Sequence, residues 1–429
     1  MLFIGREVQH IVGRFLWVNP LRLVGILWVA WAWSFPALAT DGVEPIGVSM
    51  QARARGGADV AVGDSALSQI DNPASLCLSP RDLCKLDFAG KLGILDVRWR
   101  GPLDSDDSEV KLIPLVNAGI AVPLNDRLTF GVALNSKAGL GTRFSFRHLF
   151  IPFWNRREAS DTKMVSMPIS LGYKLTDKLS FGLGGRFEAA TSEFSTVLGP
   201  ADIEFGRGYA YGGGFNAGLH YKAADTLSFG LAYRSPTWFG DLSGGKGKAS
   251  LLGCLPVSLG EVALEDLKGA QRIAAGAAWD ATPWLKIIGE VRWLNYDQST
   301  FHRTRIRIHS PIDLSYPFPL GYCDQWAFIL GSEFKLSEHW RLGAGYHFAT
   351  PNTDRYNLTP MGSITSTHHG TIGLRYETRK WWVGGGYVIA FPKSIDGPGS
   401  SHILLGTDYG DGHLAQTQHL ISMGFGFSW

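Results

Sequence analysis

The sequence predicts an all-β protein: a transmembrane antiparallel β-barrel of about fourteen strands, plugged by a segment near its N-terminus. Three observations carry this. A short unit of turn plus alternating strand recurs along the chain. The last strand is apolar on one face and ends on an aromatic residue, Trp429. No apolar run long enough for a spanning helix follows residue 39, so a membrane-resident chain must close as a barrel. Only helices and closed barrels satisfy backbone polar groups in lipid.

Composition agrees. Charged residues make up 18% of 429, below the roughly 25% of soluble domains. Glycine reaches 53 residues and aromatics 12%, with a mean hydropathy of +0.01. A helical membrane protein is far more apolar, and a soluble one more charged. The intermediate value suits a wall that alternates between lipid and lumen. The net charge of +2 matches the excess of Arg6, Arg14 and Arg22 over Glu7 at the N-terminus. The remainder is near neutral, which implies no nucleic-acid partner.

Residues 1–39 read as a secretory signal peptide. An arginine-bearing start is followed by the apolar run Leu23 to Ala32 and by Ala37-Leu38-Ala39, a small-residue cleavage pattern. The run is short for a membrane span.

The recurring unit is a tight polar turn, an apolar residue and a glycine-rich alternation. Its clearest copies are Asn125 to Gly131, Thr176 to Gly182 and Ala224 to Gly230. Looser copies begin at Ala281, Ser337 and Thr378. Turn formers open each one, and period-two alternation follows. Leu227, Phe229, Leu231 and Tyr233 share one face; Ser228, Gly230, Ala232 and Arg234 share the other. Six such turns, with both chain ends in the periplasm, give fourteen strands, near 86–99, 110–122, 128–139, 163–175, 179–191, 208–222, 227–235, 271–280, 284–297, 325–336, 340–349, 366–377, 381–391 and 417–429. The other connections, 140–162, 192–207, 236–270, 298–324, 350–365 and 392–416, are predicted to be long extracellular loops. The closing strand places Ile421, Met423, Phe425, Phe427 and Trp429 on one face. It resembles the C-terminal signal of outer-membrane proteins, which implies the barrel assembly machinery as a partner.

Residues 40–85 do not alternate. About eight strands is the widest barrel that its own side chains fill, so a wider barrel is open or plugged. The expected organisation is therefore a plug at 40–85 and a barrel at 86–429.

The run from Gly56-Gly57-Ala58 to Asn72-Pro73-Ala74-Ser75-Leu76 resembles the N-terminal hatch of the FadL family of outer-membrane transporters for long-chain fatty acids and hydrophobic compounds. Asp324-Gln325-Trp326, Leu330-Gly331, Trp340 to Tyr346 and Thr350-Pro351 resemble its late-barrel pattern. Gly63-Asp64 departs from it, since many members carry two acids before the hatch serine. The resemblance implies a monomer whose hatch includes Asn72, Pro73 and Ala74, with passive uptake of a fatty acid-like ligand. It also implies exit through a gap beside a kinked early strand, for which Pro123 and Gly139-Leu140-Gly141 are candidate interruptions. The competing reading is a general diffusion porin, which needs a charged constriction and no plug.

For ligand contacts the richest segment is 140–162. Phe144, Phe146, Phe150, Phe153 and Trp154 are interleaved with Arg143, Arg147 and Arg157. Apolar side chains take an alkyl tail at about 0.8 kcal/mol per buried CH₂, and arginine pairs with a carboxylate head. Loop packing with arginines on lipopolysaccharide phosphate is the alternative. Arg303, Arg305 and Arg307 alternate along one strand face and suit the same phosphate. Val257 to Leu267 reads as a short amphipathic helix.

No catalytic, metal or cofactor site is expected. Gly63-Asp64-Ser65 faintly echoes a lipase block without its later Asp-x-x-His. His368 and His369 are neighbours on a strand and point to opposite faces. Cys77, Cys84, Cys254 and Cys323 lack zinc spacing.

Overall fold

The computed structural model describes residues 42–78, 83–252, 254–309, 313–403 and 406–429. The export segment 1–39 lies outside the described residues. The strands, in chain order, are β1 (Lys85–Arg100), β2 (Ser105–Asp107), β3 (Leu112–Pro123), β4 (Leu128–His148), β5 (Ile151–Lys174), β6 (Leu179–Leu198) and β7 (Ala201–Ala224). Next come β8 (Leu227–Arg234), β9 (Trp238–Phe239), β10 (Leu242–Leu251), β11 (Leu255–Glu265), β12 (Gln271–Thr282), β13 (Leu285–Asn295), β14 (Arg303–Ile308) and β15 (Leu314–Pro319). The chain ends with β16 (Gln325–Lys335), β17 (Trp340–Ala349), β18 (His368–Glu377), β19 (Trp381–Asp396) and β20 (His413–Ser428).

Fourteen of these form the wall, each antiparallel to the next: β1, β3 to β8, β12, β13 and β16 to β20. The first and last close the circle, from Lys85 opposite Ser428 to Arg100 opposite His413. All fourteen predicted strands are present. The outward face carries the lipid band. On β5 it runs through Val165, Met167, Ile169, Leu171 and Tyr173, and the first outward charges are Lys163 and Asp161. Nine residues at about 3.3 Å each, tilted in the wall, match an apolar belt roughly 25 Å tall. Trp284, Trp340, Trp381 and Trp429 are exposed beside the short turns and form one aromatic girdle.

Five of the six predicted loops carry strand in the structure. Segments 140–162 and 192–207 are not loops. β4 and β5 stay paired up to His148 and Ile151, leaving only Leu149 and Phe150 as the turn. β6 and β7 stay paired up to Leu198 and Ala201. Period two persists there, but above the lipid band the outward residues face water and become charged, which disguises the strand. The expected helix over Val257 to Leu267 is also absent: Leu255–Glu265 is β11, paired to β10 on one edge and β14 on the other. Two ladders of hydrogen bonds, with β-branched Val257 and Val262, outweigh a weak helical pattern. β10, β11, β14 and β15 together extend the sheet from the upper part of β7.

Inside the barrel lies the segment 42–78, almost wholly buried. It holds one helical turn, α1 (Met50–Ala54), capped by Ser49, and two 3₁₀ turns, Ala66–Ile70 and Pro73–Leu78. No single face of this segment is apolar enough to pack alone, so its order comes from the wall around it.

Candidate functional site

The lumen has two floors. In the half nearer the short turns, segment 42–78 touches the wall through glycines. A Cβ at Gly172 would lie 2.8 Å from that of Leu76, and one at Gly343 or Gly373 would lie 2.7 Å from that of Ala54. At Gly182, Gly218 and Gly230 a Cβ would collide with the Pro73–Ala74 peptide, the Asn72 side chain and the Val60 carbonyl. Gly131, Gly182 and Gly230 close the three clearest copies of the sequence repeat. Asn72 Nδ2 donates to the carbonyls of Val60 (2.8 Å) and Leu219 (3.0 Å), and its Oδ1 accepts from Ala74 N at 3.0 Å. It therefore ties the segment both to itself and to β7.

Charge fixes the same floor. The buried Arg55 reaches Asp64 at 2.7 Å, Glu333 at 3.1 Å and Asp59 at 3.2 Å, while Arg375 reaches Asp64 at 3.2 Å. Arg272 holds Asp71 at 2.8 Å, and Glu44 meets Arg234. Glu290 accepts from the backbone of Asp59 (2.8 Å) and Val60 (3.0 Å). Burial, with the Asp64 and Asp71 carboxylates nearby, raises Asp59 to about 8 despite Arg55. Burial pushes Asp64 the same way, but Arg55 and Arg375 outweigh it and hold its carboxyl well below the usual range. Ser65 Oγ donates to Asp87 at 2.8 Å and accepts from Leu67 N at 3.1 Å. The serine and acid of the lipase-like block thus anchor and cap the segment.

The floor nearer the long connections is apolar. Leu95, Val97 and Trp99 of β1, Ile113 and Leu115 of β3, and Phe144 and Phe146 of β4 are buried in one cluster. Residues 358–364 fold down onto it, with Leu358, Met361 and Ile364 buried there. Beneath them runs a narrow cavity of about 120 Å³, walled by Met164, Ala190, Phe194, Leu242, Leu264, Phe301, Phe318 and Met361. Among the described residues, Lys268 is the one charged residue on its lining.

The wall is interrupted beside this floor. β3 and β4 pair only from Pro123 opposite Thr129 to Asn117 opposite Asn135. Beyond that, Leu112 to Val116 stay paired to β1 alone. β4 bulges between Ser136 and Ala138, and Lys137 turns inward to bind Glu188 at 2.7 Å. Side chains cover the lost ladder: Ser136 Oγ donates to Val116 O at 2.9 Å, and Asn117 Oδ1 accepts from Ser136 N at 3.1 Å. The two edges meet again where Glu109 N donates to Arg143 O at 2.8 Å. The β3–β4 interruption therefore runs from Ser136 to Thr142, with the β4–β5 bulge at Lys137 near its lower end. Gly139-Leu140-Gly141 lies within it, whereas Pro123 ends β3 in paired wall.

The family profile of outer membrane transport proteins of the OMPP1/FadL/TodX type matches residues 31–380. The chain belongs to this family. It is an outer-membrane transport protein. Among its relatives in this family, a long-chain fatty acid transport protein of Escherichia coli O6:H1 is 22% identical over 348 residues, covering 70% of this chain and 75% of the relative. The crystal structure of the toluene transporter TodX of P. putida superposes with a TM-score of 0.77 at 17% identity, over 90% of this chain and 99% of the other. The Ralstonia pickettii toluene transporter TbuX gives 0.73 at 18%, over 89% and 98%. At these identities the structural likeness shows the fold.

In this family member the expected ligand residues divide by strand parity. Phe144 and Phe146 face inward, and Phe146 stacks on Trp99 at 6.3 Å. Arg143, Arg147 and Arg157 face outward, with Arg147 at 3.2 Å from Asp104. Phe150, Phe153 and Trp154 stand exposed at the hairpin tip. The eight side chains do not converge. On the Arg303, Arg305 and Arg307 face, Arg307 is paired with Glu265 at 2.9 Å and Asp313 at 2.8 Å. The cavity residues were missed because they come from many connections. Only Phe194 had a local signal, the alternation within 192–207.

Proposed function

We propose that this chain is a passive uptake channel for hydrophobic small molecules with an acidic head, fatty acids foremost, and that segment 42–78 is its hatch. The observation that carries the reading is the apolar cavity lying at the level of an unpaired stretch of wall. Met164 lines the cavity and pairs with Ala138, the first residue past the bulge. It also packs on the cluster containing Ile113 and Leu115, the other edge of the gap. A ligand leaving the cavity sideways meets the membrane interior. The named relatives, a fatty acid transporter and two toluene transporters, favour the same cargo class. In this reading Lys268 takes the carboxylate head and the rings take the tail. Asn72, Pro73 and Ala74 hold the hatch shut, and the monomer suffices. A diffusion porin fits less well, because segment 42–78 is buried inside the barrel.

The test uses a strain lacking the protein. Wild-type protein restores uptake of a labelled long-chain fatty acid, with or without the proton gradient. Ala190→Phe, which puts a ring into the cavity, abolishes it. Ala189→Phe, one residue away on the lipid face, leaves it intact. Equal uptake by both variants would refute the cavity as the route, and a large steady conductance of the wild type in a planar bilayer would favour the porin.

A further inference from the structure

A second concave site lies on the outside of the barrel. Where β4 to β7 rise above the apolar band and β10 joins β7, the sheet forms a cleft of about 650 Å³. Six cations line it (Arg143, Arg157, Lys163, Arg207, Lys246 and Lys248) against three acids, Asp161, Glu193 and Glu204. Its lower edge is set by the first charges past the lipid face: Lys163 follows Val165 on β5, and Arg207 follows Tyr209 on β7. The cleft therefore starts at the level where lipid hydrocarbon gives way to headgroups.

Two of the acids are already neutralised. Arg207 reaches Asp161 at 2.8 Å and Glu193 at 3.0 Å, and Lys163 reaches Asp161 at 3.3 Å. Arg157, Lys246 and Lys248 have exposed side chains and no ion pair among the described residues. Lys248 stands opposite Glu204 in the ladder without joining it. Arg307 on β14 shows the contrast, since it already holds Glu265 and Asp313. Unneutralised cations gathered in a cleft at headgroup level are a site for phosphate, which accepts charge-assisted bonds from both guanidinium and ammonium groups.

We propose that this cleft binds the phosphorylated sugar headgroup of an outer-leaflet glycolipid, with Arg157, Lys246 and Lys248 holding phosphate and the apolar face of β5 and β6 below taking the acyl chains. Such a bound lipid would brace the tall hairpins that wall the cavity. The site is independent of the transported ligand, because its cations point away from the lumen.

The experiment is native mass spectrometry of the purified full-length protein in neutral detergent. The probes are bis-phosphorylated lipid A, the same lipid with its phosphates removed, and inorganic phosphate. Wild-type protein is expected to retain the phosphorylated lipid and to bind the dephosphorylated one about tenfold more weakly. Arg157→Ser/Lys246→Ser/Lys248→Ser is expected to lose that preference. Arg303→Ser/Arg305→Ser, on the other hairpin, is expected to keep it. All three site residues are exposed, and heat-modifiable migration verifies that the variant barrel is folded. The proposal is overturned by equal lipid A retention in the triple variant. It is also overturned by equal binding of the dephosphorylated lipid, which would mean acyl contact alone, or by displacement of lipid A by millimolar phosphate, which would mean a free-anion site.

Discussion

The two floors of the lumen are built from the same strands yet obey opposite rules. Near the short turns the inward residues are glycines and charged groups; near the long connections they are Phe, Trp, Leu and Met. The lower floor must accept backbone, so the wall gives up side chains where the hatch approaches and supplies ion pairs where the hatch carries charge. The upper floor, proposed to take an apolar molecule, carries rings and branched chains at its inward positions. The difference teaches that an inward-facing position in a wide barrel has no fixed polarity. What occupies the lumen at that height decides it.

The largest break in this contrast comes from putting bulk on the lower floor. Gly182→Leu combined with Gly218→Leu removes the space beside Asn72, Pro73 and Ala74. The barrel is expected to assemble with the hatch displaced, giving protease cleavage within 42–78 and a steady open conductance. A hatch still protected in the folded double variant would show that the glycines are not what seats it.

Next is the charge lattice. Arg55→Leu removes the cation shared by Asp64, Glu333 and Asp59. Breaking a buried pair from one side costs about 3–5 kcal/mol. The variant is expected to release its hatch at lower urea concentration while the barrel itself melts unchanged.

On the upper floor, Lys268→Met removes the one cation of the cavity lining. Uptake of fatty acids should fall about tenfold, as expected for losing one charge-assisted contact. Uptake of toluene should stay at the wild-type level. An equal loss for both would assign Lys268 to folding rather than to selectivity.

The smallest effect is pH dependence. The Asp59 carboxyl sits at about 8 in the folded hatch, above its unfolded value of roughly 3.9. The folded state therefore binds the extra proton between these values, so hatch stability falls as pH rises across that window and levels off above it. Asp64, held low by Arg55 and Arg375, acts oppositely. Its contribution is full above roughly pH 4 and is lost as pH falls further. Between pH 5 and 8 the Asp59 trend should appear in the urea midpoint for hatch release, and Asp59→Asn should reduce its slope.

The wall was legible because its signals are local. Turn residues, period two and an aromatic end belong to each hairpin alone, so counting turns gave fourteen strands. Segment 42–78, the proposed hatch, was legible as a departure from alternation, and Asn72 joins it to β7. The site above it was not legible. Segment 140–162 looked like one apolar, arginine-bearing surface, but strand pairing to its tip sends Phe144 and Phe146 into the barrel and Arg143, Arg147 and Arg157 out of it.

The sequence by itself determined the barrel, its strand number and its membrane setting, because alternation and turn chemistry act over a few residues. Only the tertiary structure decided three things. It showed that the repeat's glycines make room for the hatch. It placed the gap just past Asn135, where the pairing of β3 with β4 ends. It brought Lys268 into an apolar cavity walled by chain segments from Ser160 to Gly362. Each of these depends on which strands stand side by side once the circle closes between β1 and β20, and no short stretch of sequence records that.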